Sequence, residues 1–163
     1  TTFLYRGTVT PEGDSIKSNC TNPVYNGKVY TPSSQNRWVY NGYGFDHNIR
    51  VIRYSDILLM YAEALIQGAA VPLSSGLSAD DAVNLVRFRA GLDNITGVTL
   101  LDIWNERRAE LALEEDRYFD LVRTNQAATV LASKGFVVGK HEHYPIPAAQ
   151  MQLNPNLTQN TGY

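Results

Sequence analysis

A chain of 163 residues, 44% of them hydrophobic, is long enough to bury a real core as one domain and does not have a disordered composition. Fourteen Lys and Arg against 16 Asp and Glu give a formal net charge of −2, leaving no basic excess to hold a phosphate backbone and arguing against a nucleic-acid partner. The longest apolar run, Ile57 to Tyr61, is soon interrupted by Glu63 and falls well short of the roughly 20 residues that a membrane-spanning helix needs.

Residues 1–48 are rich in Thr, Asn, Gly, Ser and Tyr, are broken by Pro11, Pro23 and Pro32, and hold no sustained helical period. This composition predicts loops with short strands, the candidates being Phe3 to Arg6 and Arg37 to Tyr40. The first 20 residues lack a basic start followed by an apolar stretch, so no signal peptide is expected within this sequence. Cys20 stands between polar neighbours as a lone thiol, expected to be a small structural or surface residue.

Ile52 to Gln67 is the clearest helix. Ile57, Met60, Tyr61, Ala64 and Leu65 follow the i, i+3, i+4, i+7, i+8 rule, while Leu58 and Ala62 widen the stripe nearly all round, which predicts a centrally buried helix ended by Gly68. Ser78 with Asp81 reads as an N-cap with an acid at the third position. It opens a second helix with Ala82, Val83, Val86 and Ala90 inside and Gly91 closing it. Thr99 with Asp102 repeats the signal for a third helix, expected to reach about Asn125, roughly 39 Å if unbroken. Beyond it the pattern predicts a short helix over 127–133, a strand-like run from Gly135 to Gly139 and an extended Tyr144 to Pro147. A polar, turn-rich tail follows from Asn154 and is expected to lie across the helices.

The third helix carries charge where apolar residues belong. Leu100, Ile103, Trp104, Leu111, Tyr118, Leu121 and Val122 share a broad face, and Arg107 and Glu114 fall inside it. Charges leave water only when partners satisfy them, so an ion-pair lattice of Arg107, Arg108, Glu110, Glu114, Arg117, Asp120 and Arg123 is expected. Glu106, Glu110 and Glu114 also form a carboxylate row of the kind that a glycosidase or a metal site uses. The neighbouring arginines favour structure over acid–base work. His141 and His143 would share one face of a strand, but tetrahedral zinc wants three or four ligands and only distant His47 remains, so no metal is assigned. No cofactor motif, phosphate loop or HExxH is present.

The loop from Trp38 to Asn48 is the best binding candidate. Sugars offer apolar C–H faces flanked by hydroxyls, so a site for them wants flat rings beside polar hydrogen-bonders; Trp38, Tyr40, Tyr43 and Asp46 supply these, with Gly42 and Gly44 between them. The competing reading makes these rings, Trp38 and Phe45 above all, hydrophobic plugs over the helices. Trp104, on the core stripe, reads as packing. Asn19, Asn94 and Asn156 begin glycosylation-type triplets.

Four ordered stretches carry a family resemblance. They are Ile52-Arg53-Tyr54-Ser55-Asp56-Ile57-Leu58-Leu59-Met60-Tyr61-Ala62-Glu63-Ala64; Glu106-Arg107-Arg108, Glu110-Leu111-Ala112 and Arg117 to Thr124; Tyr144-Pro145-Ile146-Pro147; and Asn154 to Asn160 with Gly162-Tyr163. Together, over Ile49 to Tyr163, they resemble the SusD/RagB family, the surface glycan-binding lipoproteins of Bacteroidetes. The sequence departs from that family at Glu115 and Asp116, where Gly and His are common, and at Thr161, where Pro is common.

The resemblance implies a mainly α fold of tetratricopeptide-like helical hairpins, with an irregular, short-stranded N-terminal stretch and an extended C-terminal tail. It implies that residues 1–163 are one C-terminal portion of a longer protein: 1–48 loops and short strands, 49–134 helical, 135–163 strand and extended tail. It further implies non-catalytic oligosaccharide or polysaccharide binding at the outer membrane, a SusC-like TonB-dependent transporter as partner, and a lipid anchor outside this sequence. The alternatives are a helical protein-interaction module without sugar contact of its own, and a carbohydrate-active enzyme using the glutamate row.

Overall fold

The capping signals set the helix starts. The computed structural model describes residues 4–6, 8–16, 24–35, 50–70 and 76–163, and among these the chain is mainly helical, with six helices and one two-stranded sheet. It divides into two compact units, Thr1–Leu113 and Glu114–Tyr163.

In the first unit β1 (Leu4–Arg6) pairs antiparallel with β2 (Val24–Asn26), Tyr5 opposite Tyr25. β1 falls where a strand is expected; β2 carries no such signal. The strand expected over Arg37 to Tyr40 lies outside the described residues. Asp14 ties the intervening chain together: it accepts from the Ser33 amide at 2.8 Å, from the Ser33 hydroxyl and from the Tyr30 hydroxyl. The Ser33 and Tyr30 hydrogen bonds hold its carboxyl below the usual carboxylate range.

Three helices follow: α1 (Tyr54–Ile66), α2 (Ala79–Ala90) and α3 (Leu100–Glu110). Both predicted capping boxes form. Ser78 accepts from the Asp81 amide and Thr99 from the Asp102 amide, and each acid returns a bond to the cap amide. Those hydroxyl and amide bonds lower the pKa of both Asp81 and Asp102. Gly91 closes α2 in the left-handed conformation, φ 74°.

The core lies where the three helices meet. Leu58, Leu59 and Ala62 of α1 pack with Ala79, Ala82, Val83 and Val86 of α2, with Val98, and with Ile103 of α3. Alanine at 62 and 82 lets the helices approach closely, and both side chains are fully buried. The buried face of α1 differs from the sequence expectation. Leu59 is wholly inside, while Ile57 and Met60 are 45% and 42% exposed and Ala64 also faces out. On a helix apolar almost all round, periodicity cannot choose the inner side, and the contacts of α2 and α3 choose it instead. At the end of α2, Ala90 is exposed as well.

The third helix is also shorter than expected. α3 stops at Glu110, and helix resumes only with α4 (Arg117–Arg123) in the second unit. The carbonyl of Glu110 accepts from Arg53 Nη2 and from Lys28 Nζ, both at 2.6 Å, and that of Leu113 accepts from Asn26 Nδ2 at 3.2 Å. Side chains from elsewhere thus satisfy terminal carbonyls that a continuing helix would have used. Leu113 and Glu115 then take positive φ, 67° and 71°. Left-handed backbone costs an L-residue about 1–2 kcal/mol. Glu115→Gly, at one of the positions where this chain departs from the resembled family, is therefore expected to raise stability by about 1 kcal/mol. A denaturant midpoint that stays the same or falls would refute this.

In the second unit α4 is followed by α5 (Ala127–Val130), a 3₁₀ turn over Ala132–Lys134, and α6 (Ala148–Leu153). The strand expected over Gly135 to Gly139 is absent. Both glycines adopt positive φ, 82° and 80°, and residues 138–142 are turns, so an apolar run that looked extended is folded back on itself. Tyr144 to Pro147 is free of helix and strand, and Pro147 has φ −56° and ψ 136°. The tail is fastened to that segment. Gln159 bonds both the amide and the carbonyl of Ile146, at 2.7 and 2.9 Å, Asn160 donates to the Tyr144 carbonyl at 2.6 Å, and Tyr163 donates to the His143 carbonyl at 3.0 Å.

Candidate functional site

Among the described residues, two places concentrate side chains able to do chemistry or bind, one in each unit. In the first unit, α3 turns Glu106, Arg107 and Glu110 inward, and each is less than a tenth exposed. Their partners come from other helices and their edges. Arg107 Nη1 lies 2.7 Å from Asp56 of α1, and Arg87 Nη1 of α2 lies 2.9 Å from Glu106. Glu110 Oε1 holds both Arg53, just before α1, and Arg89 of α2. Trp104 donates its indole N–H to Glu63 at 3.1 Å. Arg87 and Asn84 also brace the next loop: Arg87 Nε donates to the Asp93 carbonyl at 2.8 Å, and Asn84 exchanges two bonds with Ile95.

Chemically this cluster is a clamp. Carboxylates at 8% and 4% exposure that already hold guanidinium groups present no open face to a substrate. Of the residues expected in the lattice, Arg107 and Glu110 sit at its centre, whereas Arg108 is exposed. Glu114, Arg117, Asp120 and Arg123 fall in the second unit, where Asp120 is buried and accepts from Arg123 Nε at 2.8 Å. Sequence reasoning did not assign Asp56, Arg53, Arg87 and Arg89 to the cluster. The available signal was two arginines in the last turn of α2 and an acid in the first turn of α1, but pairing between helices has no fixed spacing to reveal it.

The second unit contains an open cleft of about 420 Å³. Tyr118, Phe136, Tyr144 and Tyr163 give it aromatic walls, and Lys134, His141 and His143 give it nitrogen donors. The rings are set by their polar ends. Tyr118 donates its hydroxyl to the His141 carbonyl, and Tyr163 donates to the carbonyl of His143. Burial raises the pKa of the Tyr118 phenol, helped by Tyr144, Tyr163 and Glu142. Tyr118 and Tyr144 stand 6.3 Å apart at 52°, and Phe136 meets the His141 ring edge-on at 5.7 Å. His141 Nδ1 accepts from the Val137 amide at 2.8 Å, so in the neutral ring the proton resides on Nε2. The strand geometry assumed for His141 and His143 is not present, since both lie in a turn and bend.

Trp38, Tyr40, Tyr43 and Asp46, the residues read as sugar contacts, lie outside the described residues, as do Phe45, His47 and Cys20. No helix of the described residues is long and apolar enough to cross a membrane.

Residues 5–142 match the model of the SusD family. Among curated relatives, SusD-like protein P38 of Formosa agariphila is 34% identical over 131 residues, covering 72% of this chain and 25% of the relative. A SusD-like protein of Bacteroides ovatus is 37% identical over 75 residues, covering 46% of this chain and 13% of that one. Among solved structures, a laminarin-binding SusD-like protein superposes with a TM-score of 0.75 at 34% identity, over 92% of this chain and 31% of the other. Surface glycan-binding protein A from Bacteroides thetaiotaomicron in complex with laminarihexaose gives 0.66 at 28% identity, over 90% of this chain and 32% of the other. The chain spans about a quarter of the length of P38 and about a third of these solved neighbours.

Proposed function

We propose, from the premise that this chain belongs to the SusD family, that it is part of a surface protein that binds oligosaccharide or polysaccharide without cleaving it. The observation that carries the reading is the agreement of fold and sequence with neighbours described as binding laminarin and laminarihexaose. The clamp on α3 supports the absence of turnover, because Glu106 and Glu110 hold arginines inside the core. Binding is an equilibrium in which aromatic faces cover sugar rings while Asn, Asp and Arg satisfy hydroxyls, and no bond is broken. The ligand then passes to a SusC-like TonB-dependent transporter, and a lipid anchor outside this sequence holds the protein at the outer membrane.

Among residues 38–48 we assign sugar contact to Trp38, Tyr40, Tyr43 and Asp46. Trp38→Ala combined with Tyr40→Ala is expected to weaken retention in glycan-affinity electrophoresis of the intact protein by about tenfold, the combined effect of two stacked rings at roughly 0.5–1.5 kcal/mol each. Unchanged retention would retire that assignment. A second reading, a module that docks another protein, draws support from apolar side chains facing outward on α1 and α2, with Ile57 at 45% and Phe88 at 80% exposure. Loss of transporter capture by Phe88→Asp with glycan retention intact would favour it.

A further inference from the structure

We infer that the aromatic cleft of the Glu114–Tyr163 unit is a separate carbohydrate subsite that stacks a short stretch of glycan against Tyr144 and its neighbouring rings. The inference rests on the glycan-binding reading and assigns it a second location.

Size comes first. At about 420 Å³ the cleft lies within the range of about 300–1,000 Å³ typical of small-ligand sites. Nine of the described residues line it, against the roughly 20–30 per side of a stable protein interface, so the opening suits a small ligand and not a folded partner.

Chemistry narrows the class. Tyr144 is 66% exposed and so offers open surface to a ligand, whereas Tyr163 carries Lys140 Nζ over its ring, 4.7 Å from the centroid. Rings packed for core stability would have been covered. The hydroxyls of Tyr118 and Tyr163 are already committed to backbone carbonyls, which fixes the rings and reduces the ordering cost of binding. The Tyr144 backbone is held by Asn160, which donates to its carbonyl. Among the described residues that line the cleft none is Asp or Glu, while Lys134, His141 and His143 are there, and their nitrogens can donate to hydroxyl oxygens around a pyranose ring. Flat apolar faces beside a few N–H donors match the alternating C–H faces and hydroxyl edges of a sugar.

The test is calorimetric titration of the intact protein with laminarihexaose, cellohexaose and maltohexaose in turn, for the wild type and for Tyr144→Ala and Tyr144→Phe. Because the ring is mostly outside the protein and Asn160 binds only the backbone, Tyr144→Ala is expected to keep the wild-type melting temperature. It is expected to weaken binding about 3–10-fold, or to remove one site from the stoichiometry, with Tyr144→Phe restoring most of the loss. If the wild type binds and Tyr144→Ala binds identically, the subsite is refuted and the glycan reading stands. If the wild type binds none of the three, both are overturned.

Discussion

Arg107→Ala is expected to destabilise the protein by about 3–5 kcal/mol, the cost of stranding one member of a buried ion pair. The side chains of Arg107 and Asp56 are 7% and 14% exposed and meet at 2.7 Å, so removal of the guanidinium leaves the Asp56 carboxylate without that partner and largely out of water. A surface pair would cost about 1 kcal/mol or less. The distinction can be read from urea unfolding. Replacing both members together, Arg107→Met with Asp56→Leu, is expected to recover most of the loss, because apolar groups of similar volume need no partner. A single-variant loss below about 1 kcal/mol would mean the pair is wet, and the α3 cluster would no longer be a structural clamp.

Leu59→Ala comes next, at about 3 kcal/mol, within the 2–5 kcal/mol range for emptying a fully buried leucine site. Leu59 is 0% exposed and packs where α1, α2 and α3 converge. The informative comparison is Ile57→Ala, two residues earlier and 45% exposed, expected to stay within about 1 kcal/mol of wild type. Period alone favours Ile57 as the inner residue, whereas the structure favours Leu59. Equal losses from the two variants would place the α1 core face wrongly.

These cases show what the chain discloses on its own. Ser78 with Asp81, Thr99 with Asp102, and Gly91 are local devices whose bonds span three or four residues, and each appears in the structure as the sequence reads. The third helix is different. Leu111-Ala112-Leu113-Glu114-Glu115-Asp116 contains good helix formers, yet α3 ends where Arg53 and Lys28 occupy the Glu110 carbonyl and Asn26 that of Leu113 beyond it, and those residues lie 57 or more positions away. Gly135 and Gly139 did offer a warning, since two left-handed glycines turn an apolar run that resembles a strand. The clamp was visible as charge on an apolar stripe, but its partners Asp56, Arg87 and Arg89 were not, because interhelical pairing leaves no periodic trace. The aromatic cleft was least legible of all. Tyr118, Phe136, Tyr144 and Tyr163 are spread over 46 positions, and only the fold of the second unit brings them to one cleft.

A binding protein of this kind holds sugar and leaves it intact. The direct measurement is to incubate the intact protein with the hexasaccharide panel, recording binding heat and, over a day, the chain length of the recovered sugar by mass spectrometry. Saturable binding of at least one hexasaccharide, with every molecule recovered at its starting length, is the predicted result. Sustained release of shorter chains with new reducing ends would contradict it and return the glutamates of α3 to consideration as catalysts.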